Sequence, residues 1–207
     1  MLPFFNYGLA WASFGLVHSL LVRPAIHRWL DQRLGCLHRL AYNLLALVHF
    51  AGVLAVGHWL FHPVQPFAWL GGWRFLMYAV SVAGTTLILM AVTQHGWGEF
   101  TGVRQIIERV SQRASPPVAT LVTSGLYCWV RHPIYFGALL VFWGLAVNPL
   151  GFASAVLATI YILIGAFLEE RDLVARFGDD YRRYQRSVPM LLPIRIRRQL
   201  QSADKIP

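Results

Sequence analysis

The chain has 207 residues, of which 57% are hydrophobic and only 13% charged, with a formal net charge of +9. This is too apolar for an ordinary soluble domain, and the length allows one domain with no low-complexity linker to divide it. The positive charge does not point to nucleic acid, because the basic residues stand in short segments between long apolar runs and build no patch with interleaved aromatics. Two cysteines occur, Cys36 and Cys128; no metal-type Cys/His spacing surrounds them, and both fall in segments read as cytoplasmic, where free thiols persist.

A bilayer core takes about 20 mainly apolar residues per helix. Phe4–Val22, Leu40–Phe61 and Trp73–Val92 each meet that requirement. The first of them lacks a basic leader and a small-residue cleavage site, so it is expected to stay as a span. A fourth apolar region, Ile134–Leu168, is too long for one crossing and is interrupted at Asn148-Pro149-Leu150-Gly151. Pro149 disfavours a helical Asn148 and cannot donate a backbone hydrogen bond, so the region reads as two helices joined by a turn. The expectation is an all-α polytopic membrane protein with five transmembrane helices, the last two a hairpin whose first arm is short. Residues 1–93 would hold three spans and residues 94–207 the loop, hairpin and tail, in one integrated membrane domain.

Arginine placement orients the chain. Arg23, Arg28, Arg33 and Arg39 follow the first span, His62–Gly72 contains no Lys or Arg, and Arg104, Arg109, Arg113 and Arg131 precede the hairpin. With the basic tail, this puts the N-terminus outside and the C-terminus in the cytoplasm. After the hairpin, Glu169-Glu170-Arg171-Asp172-Leu173 continues the last helix and Gly178 is placed to cap it. Phe177, Tyr181, Tyr184 and Val188 then repeat at helical spacing, with Arg176, Arg182, Arg183 and Arg186 on other faces. Such a cytoplasmic amphipathic helix either lies in the membrane interface or docks on the cytoplasmic loops.

Polar groups at membrane depth are costly without partners or a task. Three sets stand out. His18, His38 and His49 either ligate a haem or hydrogen-bond neighbouring helices. Tyr127, Arg131, His132 and Tyr135 surround Pro133, which suits the first turn of a helix, so Arg131 and His132 stand at a helix N-terminus where an anion is favoured. Glu169 and Glu170 end the second arm of the hairpin and so return to the same side of the membrane. Together the last two sets suit a zwitterionic, nucleoside-bearing ligand; they equally suit an interfacial anchor with Glu–Arg pairs.

From Ala119 to Pro193 the chain resembles the integral membrane methyltransferases of the isoprenylcysteine carboxyl methyltransferase superfamily. The matching residues are Leu121-Val122-Thr123-Ser124-Gly125-Leu126-Tyr127, Arg131-His132-Pro133-Ile134-Tyr135-Phe136-Gly137, Asn148-Pro149, Glu169-Glu170, Phe177-Gly178-Asp179-Asp180-Tyr181, Tyr184 and Val188-Pro189. The resemblance implies S-adenosylmethionine as cofactor, held on the cytosolic side without a Rossmann fold. By position it implies cofactor contacts from Leu121, Val122, Tyr127, His132, Pro133, Ile134, Tyr135 and Glu169, with Gln112 a weaker candidate. Arg131 and Glu170 are the candidates for the catalytic step.

One departure bears on the methyl acceptor. The prenylcysteine enzymes carry an arginine about one turn before the glutamate matching Glu169, whereas this chain reads Ile164-Gly165-Ala166-Phe167-Leu168. Trp11, His18-Ser19, Gly102-Val103-Arg104-Gln105 and Val188-Pro189-Met190-Leu191-Leu192-Pro193 are more similar to the bacterial methanethiol S-methyltransferase branch. That implies a bacterial inner membrane and an acceptor that is a small thiol or a lipophilic molecule within the bilayer; a thiol needs deprotonation and desolvation more than a binding cation. The NnrU-like haem-binding membrane proteins share His18-Ser19 and an Arg-His-Pro, but not Tyr135 or the Glu169-Glu170 pair, so those residues separate the two readings.

Overall fold

The computed structural model describes residues 1–21, 23–96, 98, 101, 103, 106–107 and 120–194. Gln112, Arg109 and Arg113, and Gly102, Arg104 and Gln105 of the 102–105 run, lie outside the described residues. Among those described, the regular elements are helices: α1 (Leu2–Leu21), α2 (Pro24–Leu34), α3 (His38–Leu60), α4 (Trp73–His95), α5 (Pro133–Gly144), α6 (Pro149–Phe177) and α7 (Asp179–Ser187), with short 3₁₀ turns between some of them. Three stretches are long and apolar enough to cross a membrane, Arg28–Leu60, Trp73–Gln94 and Pro149–Phe177, and α5 is a shorter apolar helix.

Local chemistry sets the helix ends. Pro133 opens α5 and Pro149 opens α6, each at a position whose missing N–H costs nothing. The Asn148 side chain caps α6 by accepting from the Gly151 N–H at 2.7 Å. Gly178, at φ 57°, ends α6 in a left-handed conformation that a side chain resists, and α7 starts at once with Asp179 and Asp180 in its first turn.

Two seams hold the bundle. On one side α1, α3 and α6 enclose an aromatic core of Tyr7, Trp11 and Phe14 with Val53, Ala153 and Ala158. Gly57 makes room for it, since a Cβ there would stand 2.6 Å from the Tyr7 ring, and the Tyr7 hydroxyl meets Ser154 Oγ at 2.8 Å. On the other side α4 lies against α5 with their backbones nearly touching. A Cβ at Gly84 would sit 2.6 Å from the Gly137 carbonyl, and one at Gly144 would sit 2.5 Å from both the Met77 carbonyl and the Ser81 nitrogen. Close approach through small residues replaces the hydrophobic drive that is missing between helices in lipid.

At about 1.5 Å per residue, the 12 residues of α5 reach only about half the thickness of a bilayer core. The chain then turns through the non-helical residues 145–148. Irregular backbone inside a bilayer is tolerated only where it is buried in protein. Ala146 and Val147 are buried, and both of their N–H groups find acceptors within the turn. Ala146 N–H donates to Trp143, Val147 N–H donates to Leu145, and Phe67 N–H from the α3–α4 loop donates to the Val147 carbonyl at 2.9 Å.

The seam supplies a direct test. Gly144→Val is expected to destabilise the protein by at least about 1–3 kcal/mol, seen as loss of a monodisperse peak and a lower melting temperature in detergent. Gly8→Ala, in α1 where a Cβ meets nothing within 4 Å, should leave both unchanged.

Candidate active site

Glu170 is the hub of a polar cluster at the far end of the hairpin. It sits three-quarters of the way along α6, buried, and its two oxygens accept from four side chains. Arg131 binds it through both ends of its fork, Nε to Oε1 at 2.6 Å and Nη2 to Oε2 at 2.9 Å. His132 Nε2 lies 3.2 Å from Oε1, the Tyr181 hydroxyl donates to Oε1 at 3.2 Å, and Gln185 Nε2 donates to Oε2 at 2.7 Å. A bidentate guanidinium–carboxylate pair is among the stronger charge-assisted contacts, and here both side chains are about nine-tenths buried.

The third nitrogen of Arg131 reaches the strap that follows α7. Its Nη1 donates to the carbonyls of Gln185, at 3.0 Å, and Val188. The backbone repeats the connection, with Arg131 N–H on Pro189 O at 2.9 Å and His132 N–H on Met190 O at 3.1 Å. The segment before α5 is thus laced to the segment after α7.

The expected cofactor residues gather around this hub. His132 is buried and stacks on Tyr135, with ring centroids 5.3 Å apart and planes 17° apart. Its Nδ1 stands 3.7 Å from Glu169 Oε2, and the Glu169 side chain remains 45% exposed, so this carboxylate is open to an incoming group where Glu170 is not. The Tyr135 phenol lies beside the same Glu169 carboxylate. Pro133 is fully buried and Ile134 partly so. Tyr127 packs on Tyr181 and Tyr184, with Leu121, Val122, Phe177 and Val188 around them, and the Tyr184 hydroxyl donates to the Tyr127 carbonyl at 2.5 Å.

This settles how α7 is used. Tyr181 and Tyr184 are buried against Tyr127 and Glu170, so the aromatic face of α7 docks on the protein. Burial pushes the Tyr127 phenol up to about 12, with the charge of Glu169 adding to it. Burial also raises Tyr181 and Tyr184; the charge of Glu170 adds to the first, and Arg131 opposes both rises. All three stay neutral hydrogen-bonding groups at physiological pH.

The three histidines do not converge. His18 has both ring nitrogens engaged, Nε2 by the Tyr42 hydroxyl and Nδ1 by the Tyr161 hydroxyl at 2.9 Å. His49 Nε2 pairs with Ser13 at 3.2 Å, and His38 Nδ1 pairs with the Gly35 carbonyl and Asp31. Among the described residues no group of three His, Cys, Asp or Glu side chains is arranged to hold a metal. Cys36 and Cys128 are free thiols. Sequence reasoning missed Gln185, which its spacing of one turn from Tyr181 marks as a neighbour of the same carboxylate. It also missed Tyr42 and Tyr161, whose only sequence signal is a phenol inside an apolar helix.

Residues 11–188 match the family described as protein of unknown function (DUF1295). The chain belongs to that family. Among its curated relatives is the methanethiol S-methyltransferase of Pseudomonas deceptionensis, 36% identical over 185 residues, which cover 87% of this chain and 69% of the relative. Methanethiol S-methyltransferase 1 of Bradyrhizobium diazoefficiens is 34% identical, with 90% of this chain and 66% of that protein covered. The human protein-S-isoprenylcysteine O-methyltransferase is a more distant match, 30% identical over 55% of this chain and 41% of its own length. The chain therefore spans about two thirds of the length of its nearer methyltransferase relatives. No solved structure matches it.

Two outcomes follow from the cluster. Glu170→Ala leaves the buried Arg131 uncompensated and is expected to cost roughly 3–5 kcal/mol. Removing both charges, with Arg131→Met and Glu170→Leu, should cost less than the two single changes together in a detergent unfolding cycle. The tyrosines make a pH prediction. Tyr127 holds its proton more tightly folded than unfolded, so its contribution is intact below about 10 and is lost as pH rises through about 12. Alkaline unfolding monitored by phenolate absorbance should fall in that window, and Tyr127→Phe should narrow it.

Proposed function

We propose that the protein is an S-adenosylmethionine-dependent integral membrane methyltransferase that acts on a small thiol. The observation that carries this is the Glu170 hub, which seats His132 and Tyr135 beside a second carboxylate, Glu169, that is left open. On this reading the chain crosses the membrane five times, with the N-terminus outside, and the hub stands on the cytoplasmic face of a bacterial inner membrane.

The residues fit such a cofactor by charge and shape. Glu169 offers a carboxylate for an ammonium group or for ribose hydroxyls. The first turn of α5 offers free N–H groups and the positive end of the helix dipole for a carboxylate. Tyr135, with Leu121, Val122 and Ile134, offers aromatic and apolar surface for the adenosine, whereas Tyr127 and Pro133 are buried and shape that surface without presenting their own. His132 is held in orientation by Glu170 and stacks on Tyr135. S-adenosylmethionine supplies an already activated methyl group, so the protein's share is to bind, orient and exclude water. Arg131 and Glu170, the sequence candidates for the catalytic step, serve on this reading as positioning residues, because their donors and acceptors are committed to each other and to the strap.

A small thiol is preferred over a lipophilic acceptor in the bilayer. The relatives named methanethiol S-methyltransferase support it, and so does the turn before Glu169, where Gly165 stands and no cation is available for an acceptor carboxylate. Isothermal titration of the purified protein should show binding of S-adenosylmethionine that falls at least tenfold, about 1.4 kcal/mol, in the double variant Glu169→Ala with Tyr135→Ala. Methyl transfer from labelled cofactor to methanethiol should fall with it. Binding undiminished in that variant, or none in the wild type, counts against the reading.

A further inference from the structure

The polar chain through His18 is not used by any step above, yet three helices contribute to it. His18 on α1 is bracketed by hydroxyls from α3, Tyr42, and from α6, Tyr161. Tyr161 lies against α1 at Gly15, where a Cβ would stand 3.5 Å from its ring in ordinary contact. Around it stand Trp11, Phe14, Phe50 and Phe142, with Tyr161 in ring contact with Trp11 and Phe14. Trp11 Nε1 is the one buried side-chain nitrogen or oxygen among the described residues that has no hydrogen-bond partner. A buried N–H left unpaired beside a hydroxyl–imidazole–hydroxyl chain is costly for a purely structural core.

The same helix connects this chain to the cofactor residues. Tyr161, Gly165 and Glu169 are spaced four apart, so they share one shoulder of α6 beside the buried stripe Ile162, Ala166 and Glu170. A Cβ at Gly165 would meet nothing within 4 Å. Tyr135, from α5, lies within electrostatic reach of Glu169 at one end of that shoulder and of Tyr161 and Tyr42 at the other. The gap over Gly165 is therefore framed by the open carboxylate, two phenols and the start of the relay.

We propose that the acceptor thiol is seated over Gly165, between Tyr135 and Tyr161, and that its proton leaves through Tyr161 to His18. This rests on the thiol methyltransferase reading. In the tautomer with Nδ1 unprotonated, the thiol S–H bond breaks as its proton passes to the Tyr161 oxygen, and the Tyr161 proton passes to His18 Nδ1. Nε2–H meanwhile donates to Tyr42, which stabilises the imidazolium. The sulfur electron pair forms the new bond to the methyl carbon and the methyl–sulfonium bond breaks, leaving two neutral thioethers. His18 then returns the proton to solvent. Tyr161 is the catalytic residue in this scheme, since it touches the thiol, and His18 is a positioning and relay residue acting through it. Among the described residues, the titratable groups on the elements facing the relay include Tyr42 and His49 on α3, Tyr135 on α5, and Tyr161 and Glu169 on α6.

The test uses the full chain in membranes, with methanethiol as acceptor, and the variants Tyr161→Phe, His18→Gln and Gly165→Cys. Tyr161→Phe and His18→Gln should each lower kcat on the order of 10²-fold near neutral pH, with an unchanged dissociation constant for S-adenosylmethionine. The deficit should shrink steadily from about pH 7 to about pH 10 as the thiol ionises by itself. In Gly165→Cys the introduced thiol should be modified by methyl methanethiosulfonate, with the site located by peptide mass. Excess dimethyl sulfide, the methylated product and inert to that reagent, should slow the modification. If the wild type methylates methanethiol but the deficits do not change with pH, or the introduced thiol is not modified, this inference is overturned and the methyltransferase reading stands. A wild type that neither binds the cofactor nor methylates thiols overturns both.

Discussion

The Arg131–Glu170 pair is the constraint on which the polar end of the bundle depends. A guanidinium and a carboxylate, both about nine-tenths buried, are tolerable only if every strong donor and acceptor finds a partner. That requirement reaches into four separate segments. It fixes the residues ahead of α5, the late turns of α6, the aromatic face of α7 and the strap at Val188–Met190. His132 acquires its orientation as a by-product, because Glu170 Oε1 is shared between it and Arg131. One buried ion pair thereby converts four sequence-distant pieces into a single rigid wall, against which Glu169 is the side chain with freedom to meet something else.

The two adjacent glutamates illustrate how helix geometry divides labour. Residues one apart on a helix point about 100° from each other, so Glu170 turns inward to the pair while Glu169 turns along the shoulder that also carries Gly165 and Tyr161. The aromatic core between α1, α3 and α6 sets the height of that shoulder relative to α1, and the glycine seam between α4 and α5 sets the position of Tyr135 opposite it. Packing far from the polar groups thus decides which of them meet.

Much of this was legible in the residues. Pro133, Asn148-Pro149 and Gly178 mark element ends through fixed φ, a missing donor and a left-handed backbone, and these are local effects that a sequence displays directly. The ordered motif from Leu121 to Pro193 likewise pointed to the residues that the fold gathers. The histidines were harder. Spacing along one helix cannot say which neighbouring helix faces it, so haem ligation and hydrogen bonding both stayed open for His18 and His49, and each is held by a hydroxyl from another segment. The choice between a membrane-surface and a docked α7 was open for the same reason, since an apolar stripe does not say whether lipid or protein covers it. Tyr42 and Tyr161 are legible only once tertiary contacts are known.

Chain order gives the ion pair one more consequence. Arg131 precedes the carbonyls of Gln185 and Val188 by 54 and 57 residues, and Glu170 lies between them. During synthesis the guanidinium is therefore made first and stays without these partners until both arms of the hairpin have followed. Its last partners emerge only with α7 and the strap. Assembly of the candidate site is thus coupled to completion of the hairpin and its tail, because a chain that ends before residue 188 leaves Arg131 without its Val188 and Pro189 acceptors.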